Sequence, residues 1–465
     1  MADINITGDT NDDGNILFDF STYEEFRTER LKINYENTLK LWYSLPSGLP
    51  TVDNRRVRRY SHREQRARKK KVMRFCAYYV LLKRTPYKKK VYAKGSQLWH
   101  DSLNLPSLRD GSIFDIYQSF NRLMNEFFDK AENYDSAVNK DELFKASRLV
   151  WYMFAFELQL NLPVVLTDSM FGYNMLYPYT DDLVDSNDIS REAKKDFAHI
   201  FHERLLIGES NYDSKSHFNG VRTNVDQLQL SPSLKPFADR IGKIFDMVKF
   251  IENDWKRDDE HRGVYMSLAT IHECQTKSTL QHARPDDNYA PTMATVEQIS
   301  AEKGGASIIA TGFLIEGRLT RAKMAYLEYL GFALQLLDDL QDVTEDLKNN
   351  HRTIFTQSIV EGQTLDASTA RLIQFFNNLP PSVKFSEIDS TVSNKQNDLP
   401  MLEYIHTSMV MFMVVLVIEA AAQLQRYYSD EFYRELSARS PIRLKNHNKV
   451  RIEKRILSVV RRQWF

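Results

Sequence analysis

The residues best suited to chemistry in this chain are aspartates, and they come in two clusters. The first is Asp181-Asp182-Leu183-Val184-Asp185, followed by Asp188. On a helix, Asp181, Asp185 and Asp188 stand at i, i+4 and i+7 and share one face. The second runs from Asp338-Asp339 through Asp342 and Glu345 to Asp346. Asp338, Asp342 and Asp346 repeat every four residues, again along one face, with Leu336, Leu337, Leu340, Val343 and Leu347 between them. Like charges four residues apart repel by a few tenths of a kcal/mol per pair. A helix that keeps such a ladder beside an apolar face needs compensating charge, and divalent cations supply it. Mg2+ takes oxygen ligands and commonly shares one or two carboxylates with substrate phosphates. Two facing acidic helices would hold several Mg2+ ions, or Mn2+, and clamp a diphosphate. The expected metal ligands are Asp181, Asp182, Asp185, Asp338, Asp342 and Asp346, and Asp339 joins them in the catalytic set. One such motif is common on exposed helices by chance; two in one helical chain are a more specific signal.

A diphosphate also calls for cations. Arg offers a bidentate fork and Lys a point charge, which nominates Lys303, Lys348 and Arg352. Arg426-Tyr427 is a further candidate, 426 − 346 = 80 residues beyond the second cluster. His272, Cys274 and His282 lack close metal spacing on one face, so no zinc site is expected. Aromatic residues precede both clusters: Phe171, Tyr173, Tyr177 and Tyr179 before the first, and Phe313, Tyr326, Tyr329 and Phe332 before the second. They could face a carbocation, although ordinary core packing is the commoner role of any one of them.

The elements that must position these groups read as helices. The chain has 465 residues with only 16 Gly and 14 Pro, few breakers for its length. Hydrophobic residues make up 42% and charged residues 27%, ordinary globular composition. Helical periodicity predicts helices over 22–45, from Ser112 onward, and over 141–160, 164–185, 190–207, 233–254, 259–281, 293–315, 320–347, 401–427 and 448–462. Period-two alternation is scarce, so no sheet is expected. The apolar stretch Met409 to Leu424 is interrupted by Glu419 and Gln423 and reads as a buried core helix rather than a membrane span. Formal net charge is +0, which argues against a nucleic-acid partner. Two cysteines make no disulfide framework, and the start of the chain lacks a signal-like apolar region. A cytoplasmic protein is expected. Residues 1–72 read as a polar, basic extension and 73–465 as the helical domain, so deleting 1–60 should leave the core folded. The basic run Arg55 to Arg74 reads as solvated charge, as a contact with an acidic membrane surface, or as a flap over diphosphate.

A family resemblance sits on the second cluster. The segment Gly331 to Thr353, with Ala333-Leu334-Gln335-Leu336, Asp342-Val343 and Glu345-Asp346, resembles the second Asp-rich region of squalene and phytoene synthases. Asp338, Asp339 and Asp342 are also similar to the second DDxxD of trans-prenyltransferases. The first cluster lies 338 − 181 = 157 residues upstream, as in these families, and Lys303-Gly304-Gly305-Ala306-Ser307 resembles a further segment of the superfamily. Over roughly residues 110–430 the chain resembles class I isoprenoid synthases. That implies an all-α bundle around a deep apolar cavity with acidic motifs at its mouth, magnesium, and a prenyl diphosphate substrate.

Departures from these patterns narrow the expectation. Asp338 and Gln341 stand where squalene and phytoene synthases have Asn and Arg, and no Gly-Lys-Arg segment precedes the first cluster, as chain elongation would require. The four-residue spacing of Asp338, Asp342 and Asp346 resembles terpene cyclases, which also often carry an Arg-Tyr pair. The leading expectation is a terpene-synthase-like lyase that ionises an allylic prenyl diphosphate and cyclises the cation. Head-to-head condensation, as in squalene synthase, is the alternative, and a non-catalytic helical protein at a membrane surface is a second. Homodimerisation stays open.

Overall fold

A computed structural model describes residues 16–51, 58–82, 112–160, 162–185, 189–208, 230–284, 288–379 and 399–441. Among these residues the secondary structure is helical, with isolated bridges but no strand, as the periodicity predicts. Asp188 and the helix expected over 448–462 lie outside the described residues.

The chain enters the bundle at its N-terminal segment. Thr22 caps α1, Tyr23–Ile33, in a reciprocal box with Glu25, each side chain accepting from the other's N–H at 3.3 Å. α1 runs through a π-helical segment, Asn34–Leu39, into α2, Lys40–Ser44, and stops before Pro46. This segment is not a polar extension. Phe18, Phe26, Leu39, Leu41 and Trp42 are buried in the same core as the central helices, and Trp42 meets Phe332 edge-on at 5.5 Å. Arg30, 1% exposed, pairs at 2.6 Å with Glu328, 0% exposed. The Arg30 Nη2 atom also donates to the Glu302 carbonyl at 2.5 Å, and Asn34 Nδ2 donates to Glu328 at 2.9 Å. The expected boundary at residue 72 therefore cuts through packed core. A mostly polar composition hid the few large residues and the buried Arg30–Glu328 pair that help seat this segment.

The helices that follow are α3 (His62–Leu82), α4 (Ser112–Tyr134), α5 (Lys140–Gln159), α6 (Asp168–Asp185), α7 (Arg191–Leu206), α8 (Ala238–Asp254) and α9 (Arg262–Ser278). Two long helices, α10 (Met293–Glu316) and α11 (Arg321–Lys348), form the centre. Thr292 and Thr320 cap them, and Gly317, at φ 74°, turns the chain between them. Their closest approach is backbone on backbone: a Cβ added to Gly304 would lie 2.6 Å from the Gly331 carbonyl oxygen. The Gly304-Gly305 pair thus serves helix packing. α9 covers one side of α10, while α6 and α8 pack along each other. α12 (Ile354–Val360), α13 (Asp366–Asn377), α14 (Leu399–Gln423) and α15 (Asp430–Arg439) complete the described bundle. Within α14, Ile405–Gln423 is long and apolar enough to cross a membrane by length and composition, yet 56% of that window is buried against the rest of the protein.

Candidate functional site

The C-terminal half of α11 carries the second aspartate cluster, and the heptad-like spacing of Leu336, Leu340 and Val343 drives it into the core on the opposite side. Asp338 and Asp342 are exposed and Asp346 is half-buried, so the ladder faces outward as its spacing implies. Asp338 combines solvent exposure with crowding by neighbouring protein. The hydration lost to that crowding raises its pKa to about 6. Asp342 and Asp346 add repulsion, while Arg148 and Lys303 act the other way. Lys303 is one of the cations expected from sequence, and it reaches this site from α10. Arg148, from α5, was not expected. A lone exposed Arg on an amphipathic helix carries no local signal of a partner 338 − 148 = 190 residues away.

Asp339 does not belong to the ladder. One residue further round the helix, it is buried at the α10–α11 contact, where it accepts from Gln335 Nε2 at 2.8 Å and from Ser300 Oγ at 3.5 Å. Burial raises its pKa to about 7, with Gln335 opposing the rise and Asp338 adding to it. Its place is in the packing beneath the ladder, not among the acids that face solvent. At the far end, Asp346 accepts from His351 Nδ1 at 3.0 Å, and the His351 ring stacks on His282 with centroids 4.6 Å apart.

The remaining expected ligands separate. Arg352 is fixed by its backbone, whose N–H donates to the Gln281 carbonyl at 2.8 Å, and its half-buried guanidinium makes no hydrogen bond or ion pair among the described residues. Lys348 lies in an exposed pair with Glu345 at 3.7 Å, the ordinary use of a lysine three residues from a glutamate. Arg426 donates to the Tyr427 hydroxyl at 2.6 Å, and the Tyr427 carbonyl accepts from Leu365; neither residue's described contacts reach the aspartates. Phe171, Phe313 and Phe332 pack against Phe127, Phe26 and Trp42 as core rings. His272, Cys274 and His282 have separate partners in Ala198, Arg30 and His351.

Asp181, Asp182 and Asp185 occupy the last turn of α6; their side chains lie outside the described residues. The helix register still fixes their level. Ser169, at the start of α6, donates to the Leu314 carbonyl at the end of α10 (3.1 Å), and Gly304 meets Gly331. Counting about 1.5 Å per residue from these contacts brings the end of α6 to the level of Asp338 on α11. α5 agrees: Tyr326 donates to Gln159 at 2.9 Å at one end, and Arg148 reaches toward Asp338 at the other. Both acidic turns thus lie at one end of the bundle.

The oxygen-only donor set of α11 suits Mg2+ chemically, and the repulsion it builds at Asp338 is what a cation would relieve. Among the described residues, no three His, Cys, Asp or Glu side chains converge on one point, so α11 alone makes no closed metal site. Against known proteins, the chain matches no family model, no curated sequence and no solved structure.

Proposed function

We propose that the chain is a terpene-synthase-like enzyme that ionises an allylic prenyl diphosphate with the help of Mg2+. The observation that carries this reading is the charge around Asp338: an aspartate ladder on α11 with the cations Lys303 and Arg148 close enough to act on it, at the bundle end where α6 carries its own acidic turn. Carboxylates and cations side by side suit a substrate that arrives as a metal diphosphate. Asp338, Asp342 and Asp346 would hold the ions from α11, and Asp181, Asp182 and Asp185 from α6. Bound Mg2+ supplies positive charge that stabilises the departing diphosphate. Lys303 and Arg148 would bind phosphate oxygens and keep the leaving group oriented. Asp339, neutral through much of the acidic range, holds the α10–α11 spacing beneath them. A cation released here must be kept from water until it cyclises and loses a proton.

The test is incubation of the purified protein with prenyl diphosphates of increasing length, with and without isopentenyl diphosphate, followed by product mass. Diphosphate release should require Mg2+ or Mn2+, stop with chelator and need no isopentenyl diphosphate. A product of doubled carbon number would reassign the reaction to head-to-head condensation. Undiminished release in chelator, or none with any substrate, would overturn the reading.

A further inference from the structure

We infer that α3 docks the protein on an anionic membrane surface. The inference is independent of the diphosphate chemistry. α3 is fastened along one side of its first turns. Gln65 Nε2 donates to the Ser437 and Ser440 carbonyls at 2.8 and 3.0 Å, and the Tyr60 N–H donates to the Ala438 carbonyl at 2.7 Å. Arg59 pairs with Glu435 at 2.6 Å, and Arg68 lies over the Tyr60 ring at 5.0 Å. These contacts turn the Gln65 and Arg68 side of the helix toward α15.

The opposite side carries Arg63, Arg66, Lys70 and Arg74. At 100° per residue they fall within an arc of about 80° and a length of about 16 Å. All four are exposed and have no hydrogen bond or ion pair among the described residues. The helix contains one acid, Glu64, and it is already engaged by Ser61 and Arg58. Nothing in α3 neutralises the stripe.

The same helix continues into Val72–Leu82, where every residue but Arg74 is apolar or aromatic. A basic stripe that runs on into apolar sequence suits the boundary between lipid headgroups and acyl chains. Nucleic-acid phosphates would match the cations but make no use of that apolar continuation. The overall charge, 62 basic against 62 acidic residues, adds no wider attractive field.

The experiment is co-sedimentation of the full chain with vesicles of phosphatidylcholine alone or mixed with phosphatidylserine. The expected result is binding to the mixed vesicles only, reversed by high salt. Replacing any one of the four cations by Gln should weaken binding about fivefold, and Arg63→Gln/Arg66→Gln/Lys70→Gln/Arg74→Gln together by at least about a hundredfold. Among the described residues these side chains make no hydrogen bond or ion pair, so thermal unfolding should not move; if the fourfold variant were to melt early, the single variants carry the test. Arg191→Gln/Lys195→Gln on α7 serves as control and should bind normally. The inference is overturned by absence of vesicle binding, by equal binding to neutral vesicles, or by full binding of the fourfold and single variants. Tighter, stripe-dependent binding to an oligonucleotide than to the mixed vesicles would overturn it in favour of nucleic acid.

Discussion

At Asp338, crowding and the neighbouring acids Asp342 and Asp346 already strain the carboxylate. Removing one rung of the ladder should therefore leave stability unchanged or slightly improved. Under the proposed function, Asp338→Ala or Asp342→Ala should lower diphosphate release on the order of a hundredfold or more, the loss of one metal ligand. Asp430→Ala, at the start of α15, is the control. Near-normal turnover of both variants at saturating Mg2+ would falsify the role of this face. Asp339 should behave differently, through pH. Its pKa near 7 lies above the value of 3.8 for an unperturbed aspartate, so between the two the folded protein keeps a proton the unfolded chain has lost. This group's contribution is complete below about pH 4 and is lost as pH rises through about 7. Asp339→Asn should match the native protein in chemical denaturation near pH 4 and exceed it near pH 8, by about 4 kcal/mol at most. Equal stability at both pH values would show that Asp339 is not buried as described. The ladder was legible because a four-residue repeat maps directly onto a helix face. That Asp339 turns inward follows from the same geometry once α10 is in place. Arg148 was not legible, because its partner is far away in the chain.

Among the elements, the N-terminal segment departs most from expectation. Helix periodicity foresaw a helix over 22–45, and α1 to α2 spans Tyr23–Ser44 with its π-helical insert. Its burial was not foreseen, because Arg30 reads as a surface charge until Glu328, 328 − 30 = 298 residues later, is opposite it. Burial works against charge on Arg30, yet the carboxylate of Glu328 overcomes it and keeps the guanidinium ionised. Arg30→Ala would leave Glu328 buried and unpaired, at a cost of about 3–5 kcal/mol. Arg30→Met/Glu328→Met removes both charges and should cost clearly less. Denaturant titration of the three proteins checks the order; equal losses for single and double variants would contradict it. Deleting residues 1–60, which sequence reasoning expected to be harmless, should instead abolish cooperative unfolding, since it removes Trp42 and Phe26 along with Arg30. Elsewhere the periodicity placed helices within a few residues of α5, α7, α10 and α11, because their apolar faces are unbroken and their ends carry Asn139, Ser190, Thr292 and Thr320 as caps.

For the molecule as a whole, the acidic ends of α6 and α11 lie on one side and the Gly304–Gly331 contact lies nearer the middle. That contact fixes how close the two helices lie. A Cβ added at Gly304 would come within 2.6 Å of the Gly331 carbonyl oxygen, so a larger residue there must push α10 and α11 apart. Asp338 stands 338 − 331 = 7 residues beyond Gly331 and Asp346 stands 346 − 331 = 15, with Asp339 bonded to Ser300 of α10 in between. The spacing between the aspartate ladder and Lys303 is therefore inherited from two glycines that carry no chemistry of their own.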